Sequence, residues 1–264
     1  MKNHFFFSYA GNKRNECEDI YNKFLNEKLK DEKITTIIEP YCGTSSISYY
    51  TSLKHPKKYN YILNDNNKQL IELYEMVKNG KYKKINDEMN KIIIEFNKYT
   101  DDIERKKYYE LIKKNNDVYS YLFNNKYHSI HAGFYPQIKR LKEIKPFKIE
   151  EIPVYNFIVN EKITFLNLDA LELINKYKNN ENVILILDPP YVQSCNDFYA
   201  NQNMNIYEYL YNNNIDDYKC EIVLILENMW INKLLFRTNK ILLEYNKKYE
   251  GSKKKTTHII ITKN

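Results

Sequence analysis

Five consecutive apolar residues, Val183-Ile184-Leu185-Ile186-Leu187, run without interruption into Asp188-Pro189-Pro190-Tyr191. An unbroken apolar run of this length reads as a strand buried on both faces, the kind found in a sheet covered by helices. The two prolines then stop it, because neither has an N–H to continue a ladder and each restricts the residue before it. A carboxylate is thereby left at the C-terminal tip of a buried strand, with an aromatic ring three residues on. A plain strand-to-loop turn would use the prolines in the same way, so the tetrapeptide carries a steric reading beside a chemical one.

The chemical reading concerns a poor nucleophile. The lone pair of an exocyclic amino group such as adenine N6 is delocalised into the ring, and hydrogen-bond acceptors that fix the amino group help to localise it. Asp188 offers a carboxylate oxygen and the peptide carbonyl beside Pro189 a second acceptor, with no competing backbone donor at the proline. Tyr191 offers a ring on which the base stacks, and a base inside a duplex reaches such a pocket only by flipping out, at a cost of roughly a few kcal/mol. The tetrapeptide in this strand context therefore points to methyl transfer onto a nucleobase amino group.

A second segment strengthens that expectation. Ile34-Thr35-Thr36-Ile37-Ile38 reads as a buried parallel strand, and it enters Glu39-Pro40-Tyr41-Cys42-Gly43-Thr44-Ser45-Ser46, a small-residue turn that opens a helix. Gly43 lets the backbone approach a ligand closely, and a turn at the carboxyl end of a first strand lies at the crevice of an open α/β sheet. The next strand, Tyr59-Asn60-Tyr61-Ile62-Leu63, ends in Asn64-Asp65, an acidic residue about 20 positions beyond the glycine turn and so placed to accept from ribose hydroxyls.

In motif order the chain resembles the Dam-type, D12-class family of N6-adenine DNA methyltransferases, including those of T-even phages. Phe7-Ser8-Tyr9-Ala10-Gly11-Asn12-Lys13-Arg14 is similar to the family's aromatic-Ala/Thr-Gly-x-Lys segment, Glu39 to Ser46 to its Asp/Glu-x-Phe-x-Gly turn, and Asn64-Asp65 with the following Leu70-Ile71-Glu72-Leu73-Tyr74 to its ribose-binding strand end and helix. Phe165-Leu166-Asn167-Leu168-Asp169-Ala170 resembles the Asp-Phe element that contacts the cofactor's adenine. The resemblance implies S-adenosyl-L-methionine as cofactor, held by Tyr9, Ala10, Gly11, Lys13, Glu39, Tyr41, Cys42, Gly43, Asp65, Asp169, Ala170 and Asp188. Asp188, Pro189, Pro190 and Tyr191 are the implied catalytic residues, and Lys13 is expected between the cofactor and substrate sites. Ser45 and Ala170 depart from the family, standing where a second glycine and a Phe are usual. Gly133-Phe134-Tyr135-Pro136-Gln137-Ile138-Lys139-Arg140 only partly echoes the family's recognition hairpin. The DNA target sequence therefore does not carry over, although Lys139 and Arg140 are expected DNA contacts. Methylation of RNA adenine or of cytosine N4, and a nucleic-acid-binding pseudoenzyme, stay open as alternatives.

Composition agrees with a nucleic-acid partner. Lys and Arg number 41 against 34 Asp and Glu, a net charge of +7 that favours a polyanion such as double-stranded DNA. Abundant Lys, Asn, Ile and Tyr also follow from an A/T-rich genome, so the charge is supporting evidence only. Cys17, Cys42, Cys195 and Cys220 show no Cys-x-x-Cys spacing, which speaks against a zinc site or a disulfide framework. Cys195 reads as a structural or incidental cysteine before a reactive thiol. His128 and His131 lack a third or fourth ligand, so a surface or DNA-contacting role is preferred and no metal is expected. No apolar run approaches the ~20 residues of a membrane span, and the first residues are too short for a signal-peptide core. A soluble cytoplasmic protein is the expectation, working as a monomer because one flipped base needs one site, with a partner restriction endonuclease left open.

Strands are expected at 34–38, 60–64, 163–168, 183–187, 222–226, 240–245 and 258–262, with helices after most of them. The last two flank a Lys/Gly-rich connection and suggest a reversed strand at the sheet edge. From about 76 to 152 the pattern is helical, with Met89, Ile92, Ile93 and Phe96 in one set and Tyr108, Leu111 and Ile112 in another. Lys106, Lys107, Lys113 and Lys114 there are candidate phosphate contacts, most of them expected to be solvated. The expected architecture is an α/β, Rossmann-like methyltransferase fold with a mixed seven-stranded sheet. Its catalytic domain covers 1–75 and 153–264, and a mostly helical insertion at 76–152 takes the place of the family's target-recognition domain.

Overall fold

The computed structural model describes residues 5–7, 9, 11–127, 143–191, 205–248 and 255–264. The chain forms two compact units, one of Met1–Asn12 with Lys68–Asn160 and one of Lys13–Asn67 with Glu161–Asn264. The expected boundaries at 76 and 152 both fall inside the first of these, the former within a helix that starts at Lys68.

The second unit is a seven-stranded sheet with helices, among them α1 (Cys17–Ile20), α2 (Asn26–Lys28) and α3 (Ser46–Lys54). Its strands are β1 (Thr36–Glu39), β2 (Asn60–Asn64), β3 (Ile163–Leu166), β4 (Val183–Leu187), β5 (Glu221–Glu227), β6 (Lys240–Lys248) and β7 (Lys255–Thr262), in the order β3-β2-β1-β4-β5-β7-β6. Five are parallel, and every residue of β4 is buried, as an apolar run between two neighbouring strands and two covered faces requires. From β1 the chain steps outward to β2 and β3, then returns to pair β4 on the other flank of β1. That reversal makes the β1/β4 border a topological switch point, where the loops leaving two adjacent strand ends diverge and open a crevice. Gly43 follows β1 and Asp188 follows β4, so the fold brings both to that crevice.

The reversed strand is not at the edge. β7 runs antiparallel between β5 and β6, and β6 is the outer strand. Ile259, Ile260 and Ile261 are all buried, which only an interior position satisfies. β6 instead carries Lys240, Glu244 and Asn246, residues that an exposed edge tolerates.

In the first unit, helices α4 (Lys68–Lys78), α5 (Tyr82–Lys98), α6 (Asp102–Lys114), α7 (Val118–Tyr127) and the short α8 (Tyr155–Ile158) pack around Leu73, Val77, Ile85, Met89, Phe96, Leu122 and Phe123. On α6 the inward face is Arg105, Tyr109 and Ile112, while Leu111 is 58% exposed, so the expected Tyr108–Leu111–Ile112 face is rotated by about one residue. Arg105 fixes that rotation by donating from Nε to the Tyr99 carbonyl. Along α5, Asn86, Asn90 and Asn97 share a face and hold the stretch 144–149, which runs into a short 3-10 turn at Ile149–Glu151. Asn97 and Asn90 each exchange two hydrogen bonds, of 2.8–3.1 Å, with the peptide groups of Ile144 and Phe147. Asn86 accepts from the Ile149 N–H at 2.9 Å.

The strand ends in the sheet unit are tied by a side chain of the same type. Asn64, fully buried at the end of β2, donates to the carbonyls of Pro40 (2.9 Å) and Leu168 (3.1 Å) and accepts from the Leu168 N–H (2.9 Å). It thereby joins the ends of β1, β2 and β3, and β3 stops at Leu166 because the next residues turn toward it. Replacing Asn64 by Leu leaves buried peptide groups without these bonds, and a stability loss on the order of 3 kcal/mol in urea melts is expected. Nearby, Ser45 has φ of +50°, in the left-handed region that costs a non-glycine roughly 1–2 kcal/mol. Ser45→Gly removes that strain against about 0.5–1 kcal/mol of chain entropy, so the melting temperature is expected to rise by about 2 °C.

Candidate active site

Lys13 enters the site from the start of a helix. Its carbonyl accepts from the N–H groups of Glu16 (3.0 Å) and Cys17 (2.8 Å), opening the helical stretch that begins at Cys17–Ile20. Its side chain, only 4% exposed, reaches across 175 positions of sequence to the Oδ2 of Asp188, with which it forms an ion pair. The other Asp188 oxygen, Oδ1, accepts from the Tyr191 hydroxyl at 2.8 Å. The ammonium also lies 5.2 Å from the centre of the Tyr191 ring, a cation–π distance. Ending β4 with two prolines makes this arrangement local: the chain turns so that residues 188 and 191 face each other. Tyr207 donates to the Pro190 carbonyl at 3.4 Å and supports the turn from the far side.

Tyr191 is buried, and its ring meets the imidazole of His258 edge to face, with centroids 4.8 Å apart. Nothing in the sequence pattern assigns His258 a role. It is placed by register, since His258 on β7 lies opposite Glu227 on β5 and Tyr245 on β6. Only the strand order brings β7 near the end of β4, and no local pattern encodes that.

A second carboxylate lies close by. Glu39, at the end of β1, is buried and accepts from the Ser48 N–H at 2.8 Å. Burial pushes its carboxyl up to about 7, the Ser48 hydrogen bonds pull it down, the negative Asp188 raises it further and Lys13 lowers it. One lysine thus serves two carboxylates.

The glycine turn forms a neighbouring cluster. The Gly43 N–H donates to Asp65 Oδ2 at 2.9 Å, and Asp65 Oδ1 accepts from the Asn67 N–H at 2.9 Å. Burial raises the Asp65 carboxyl above its ordinary range, and these two backbone donors act against it. Each oxygen keeps a further lone pair, so Asp65 can still accept from a diol. Cys42 is a buried free thiol whose ionisation is pushed up by burial. Burial likewise raises the half-buried Tyr41 hydroxyl, and the negative Asp169 adds to it. Asp169 caps the helix Ala170–Tyr177 by accepting from the Leu171 N–H at 2.7 Å, and Ala170 is its buried first residue. A carboxylate acceptor at the end of β2, a close-approach turn after β1 and the Tyr41 ring together fit a nucleoside-bearing cofactor.

Of the remaining expected residues, Tyr9 and Gly11 belong to the first unit, where the Tyr9 carbonyl accepts from Asn12 and Gly11 takes φ of +79°. Ala10, His128, His131, Lys139, Arg140, Cys195 and the stretch around Gly133 lie outside the described residues. Among the described residues no group of three or more His, Cys, Asp or Glu is placed to hold a metal ion, and no helix is long and apolar enough to cross a membrane.

The Glu39 environment has a consequence for stability. Its folded value of about 7 lies above the ordinary 4.5, so the folded protein keeps a proton there that the unfolded chain has released. That contribution is fully present below pH 4.5 and is lost as pH rises through 7, with a total on the order of 3 kcal/mol. Urea melts at pH 5 and pH 8 are expected to show this loss in the wild type and to show most of it gone in Glu39→Gln, which keeps an acceptor for Ser48.

Residues 9–217 match the model of the D12 class N6 adenine-specific DNA methyltransferase family. No curated protein matches the chain individually. The matched stretch takes in β1 to β4, the glycine turn and Asp188 to Tyr191, the elements whose strand ends converge on the crevice, and the chain belongs to the D12 class N6 adenine-specific DNA methyltransferase family.

Proposed function

We propose that this protein transfers a methyl group from S-adenosylmethionine to N6 of an adenine flipped out of double-stranded DNA, using a Rossmann-like sheet whose β1/β4 crevice receives both reactants. The observation that carries the reading is the Asp188 carboxylate, fixed at the tip of a fully buried strand by Lys13 and Tyr191. The bound cofactor supplies a methyl group activated on a sulfonium.

The protein's part is orientation. Asp188 and the carbonyl beside Pro189 accept from the adenine amino group and hold its lone pair toward the methyl carbon. Tyr191 stacks on the flipped base, which requires Lys13 to move off the Tyr191 ring. Gly43 and Asp65 hold the nucleoside end of the cofactor, with Tyr41, Cys42, Asp169 and Ala170 around its base, and Lys13 completes this part of the cofactor site. Glu39 anchors the turn through Ser48. The helical unit is the target-recognition domain in this reading, where Lys139 and Arg140 meet phosphates. Such contacts place the duplex without reading its sequence, and the net charge of +7 supports them.

The test is incubation with S-adenosylmethionine and unmethylated A/T-rich duplex DNA, followed by digestion and mass spectrometry for N6-methyladenine. Turnover is expected, with a loss of at least about a hundredfold in Asp188→Ala and cofactor binding by calorimetry largely retained. Full turnover by Asp188→Ala would remove the catalytic assignment, and a mark on cytosine or on RNA alone would redirect the substrate.

A further inference from the structure

In the resting arrangement both oxygens of Asp188 already hold donors, Tyr191 on Oδ1 and Lys13 on Oδ2. Each oxygen keeps a further lone pair, but every donor already on the carboxylate weakens it as an acceptor for the incoming amino group of the proposed reaction. A phenol has a single hydrogen, so Tyr191 can give it to only one acceptor at a time. Besides Asp188 Oδ1 at 2.8 Å, the Tyr191 hydroxyl has a ring nitrogen within reach, His258 Nδ1 at 3.4 Å. His258 is fully buried and packed edge to face against Tyr191, so this second acceptor is held in place.

We infer that His258 is a positioning residue for methyl transfer: as the amino group docks on Asp188, the Tyr191 hydrogen turns from Oδ1 to His258 Nδ1, leaving Oδ1 to the amino group as its stronger acceptor. The inference rests on the proposed role of Asp188 as the amino-group acceptor. Nδ1 accepts only when the imidazole hydrogen is on Nε2, so this is the tautomer the arrangement needs. Tyr245 lies on the outer strand, half-buried, with its hydroxyl also 3.4 Å from Nδ1 and its ring 5.5 Å from the imidazole. It fills the nitrogen's single lone pair while Tyr191 is on Asp188 and gives it up when Tyr191 turns. Glu227, buried and opposite His258 on β5, is the charged neighbour in register. No covalent bond changes in this step; one hydrogen bond is exchanged for another. His258 lies beyond the 9–217 stretch that matches the family, so the assignment concerns a part of this chain the family match does not reach.

The decisive experiment is a mutant cycle on kcat, paired with nitrogen-15 spectroscopy of the imidazole. His258→Phe keeps an aromatic ring between the two tyrosines and removes the acceptor; kcat is expected to fall about tenfold, one hydrogen bond's worth, with KM for DNA little changed. His258→Asn, whose side-chain oxygen sits near the Nδ1 position, is expected to recover most of that loss. In a Tyr191→Phe background, His258→Phe is expected to cost nothing further, because the coupling runs through the missing hydroxyl. An equal loss in both backgrounds, or no loss in either, overturns the proposal. The spectroscopic arm uses no His258 variant and no turnover. In Asp188→Ala the hydroxyl has lost its carboxylate acceptor, so the His258 Nδ1 resonance is expected to shift, and adding Tyr191→Phe is expected to abolish that shift. A resonance unmoved by Asp188→Ala overturns the inference whether or not methyl transfer is detected. A shift seen in a protein without turnover supports the His258 assignment while the proposed reaction fails.

Discussion

A carboxylate at the end of a strand buried on every side is costly unless a cation meets it, and the Lys13–Asp188 pair is what makes the end of β4 usable. Lys13 is nearly fully buried and Asp188 only partly exposed, so each gives the other a partner where water is scarce. Because they are 175 positions apart in sequence, the pair also joins the first residues of the sheet unit to its fourth strand. The energetic value of such a pair lies less in net stability than in geometry. Removing either partner strands the other, whereas with both present the carboxylate has one orientation and the Tyr191 hydroxyl completes it.

The same logic extends to the neighbouring strand ends. Glu39 sits one strand away and competes for the positive charge of Lys13, and its carboxyl responds by holding its proton to about pH 7. Net charge at the crevice is therefore set by burial and by one shared lysine. Asp65, two strands from β4, solves the same problem without a cation, through backbone N–H groups from Gly43 and Asn67. Adjacent carboxylates with different supports have different chemical dispositions: one paired to a buried ammonium, one close to neutrality, one fixed by the backbone with lone pairs to spare.

Much of this was legible in the sequence, for a physical reason. Runs such as 183–187 and 34–38 have no alternative to burial, and prolines and glycines end them at defined points, so all seven strands lie where hydrophobic pattern puts them. What the pattern lacks is long-range order. Nothing local says that β7 inserts between β5 and β6, and so nothing local assigns His258 to the side of Tyr191. On α6 the apolar residues Tyr108, Leu111 and Ile112 suggest one face, yet Arg105 claims the interior by finding a carbonyl, and hydropathy cannot see a satisfied arginine. Ser45 looks like a lost glycine, but the backbone keeps its left-handed turn there. The departure changes the strain at the turn and leaves its shape intact.

Asparagine shows most clearly where composition misleads. Its abundance is what an A/T-rich genome would supply, and on that basis it invites a reading as monotonous loop surface. In the folded chain Asn64, Asn90 and Asn97 each present the side-chain amide to a peptide group and bond it in both senses, to Leu168, Ile144 or Phe147. An amide side chain carries the same donor and acceptor as the backbone, so it can finish a hydrogen-bond ladder where no strand is available to do so. On α5 this fastens the stretch 144–149 to a helix, and at Asn64 it holds three strand ends together beside the glycine turn. An abundant residue has become the means of satisfying buried peptides at the irregular places of the fold, and one of those places is the rim of the crevice beside the glycine turn.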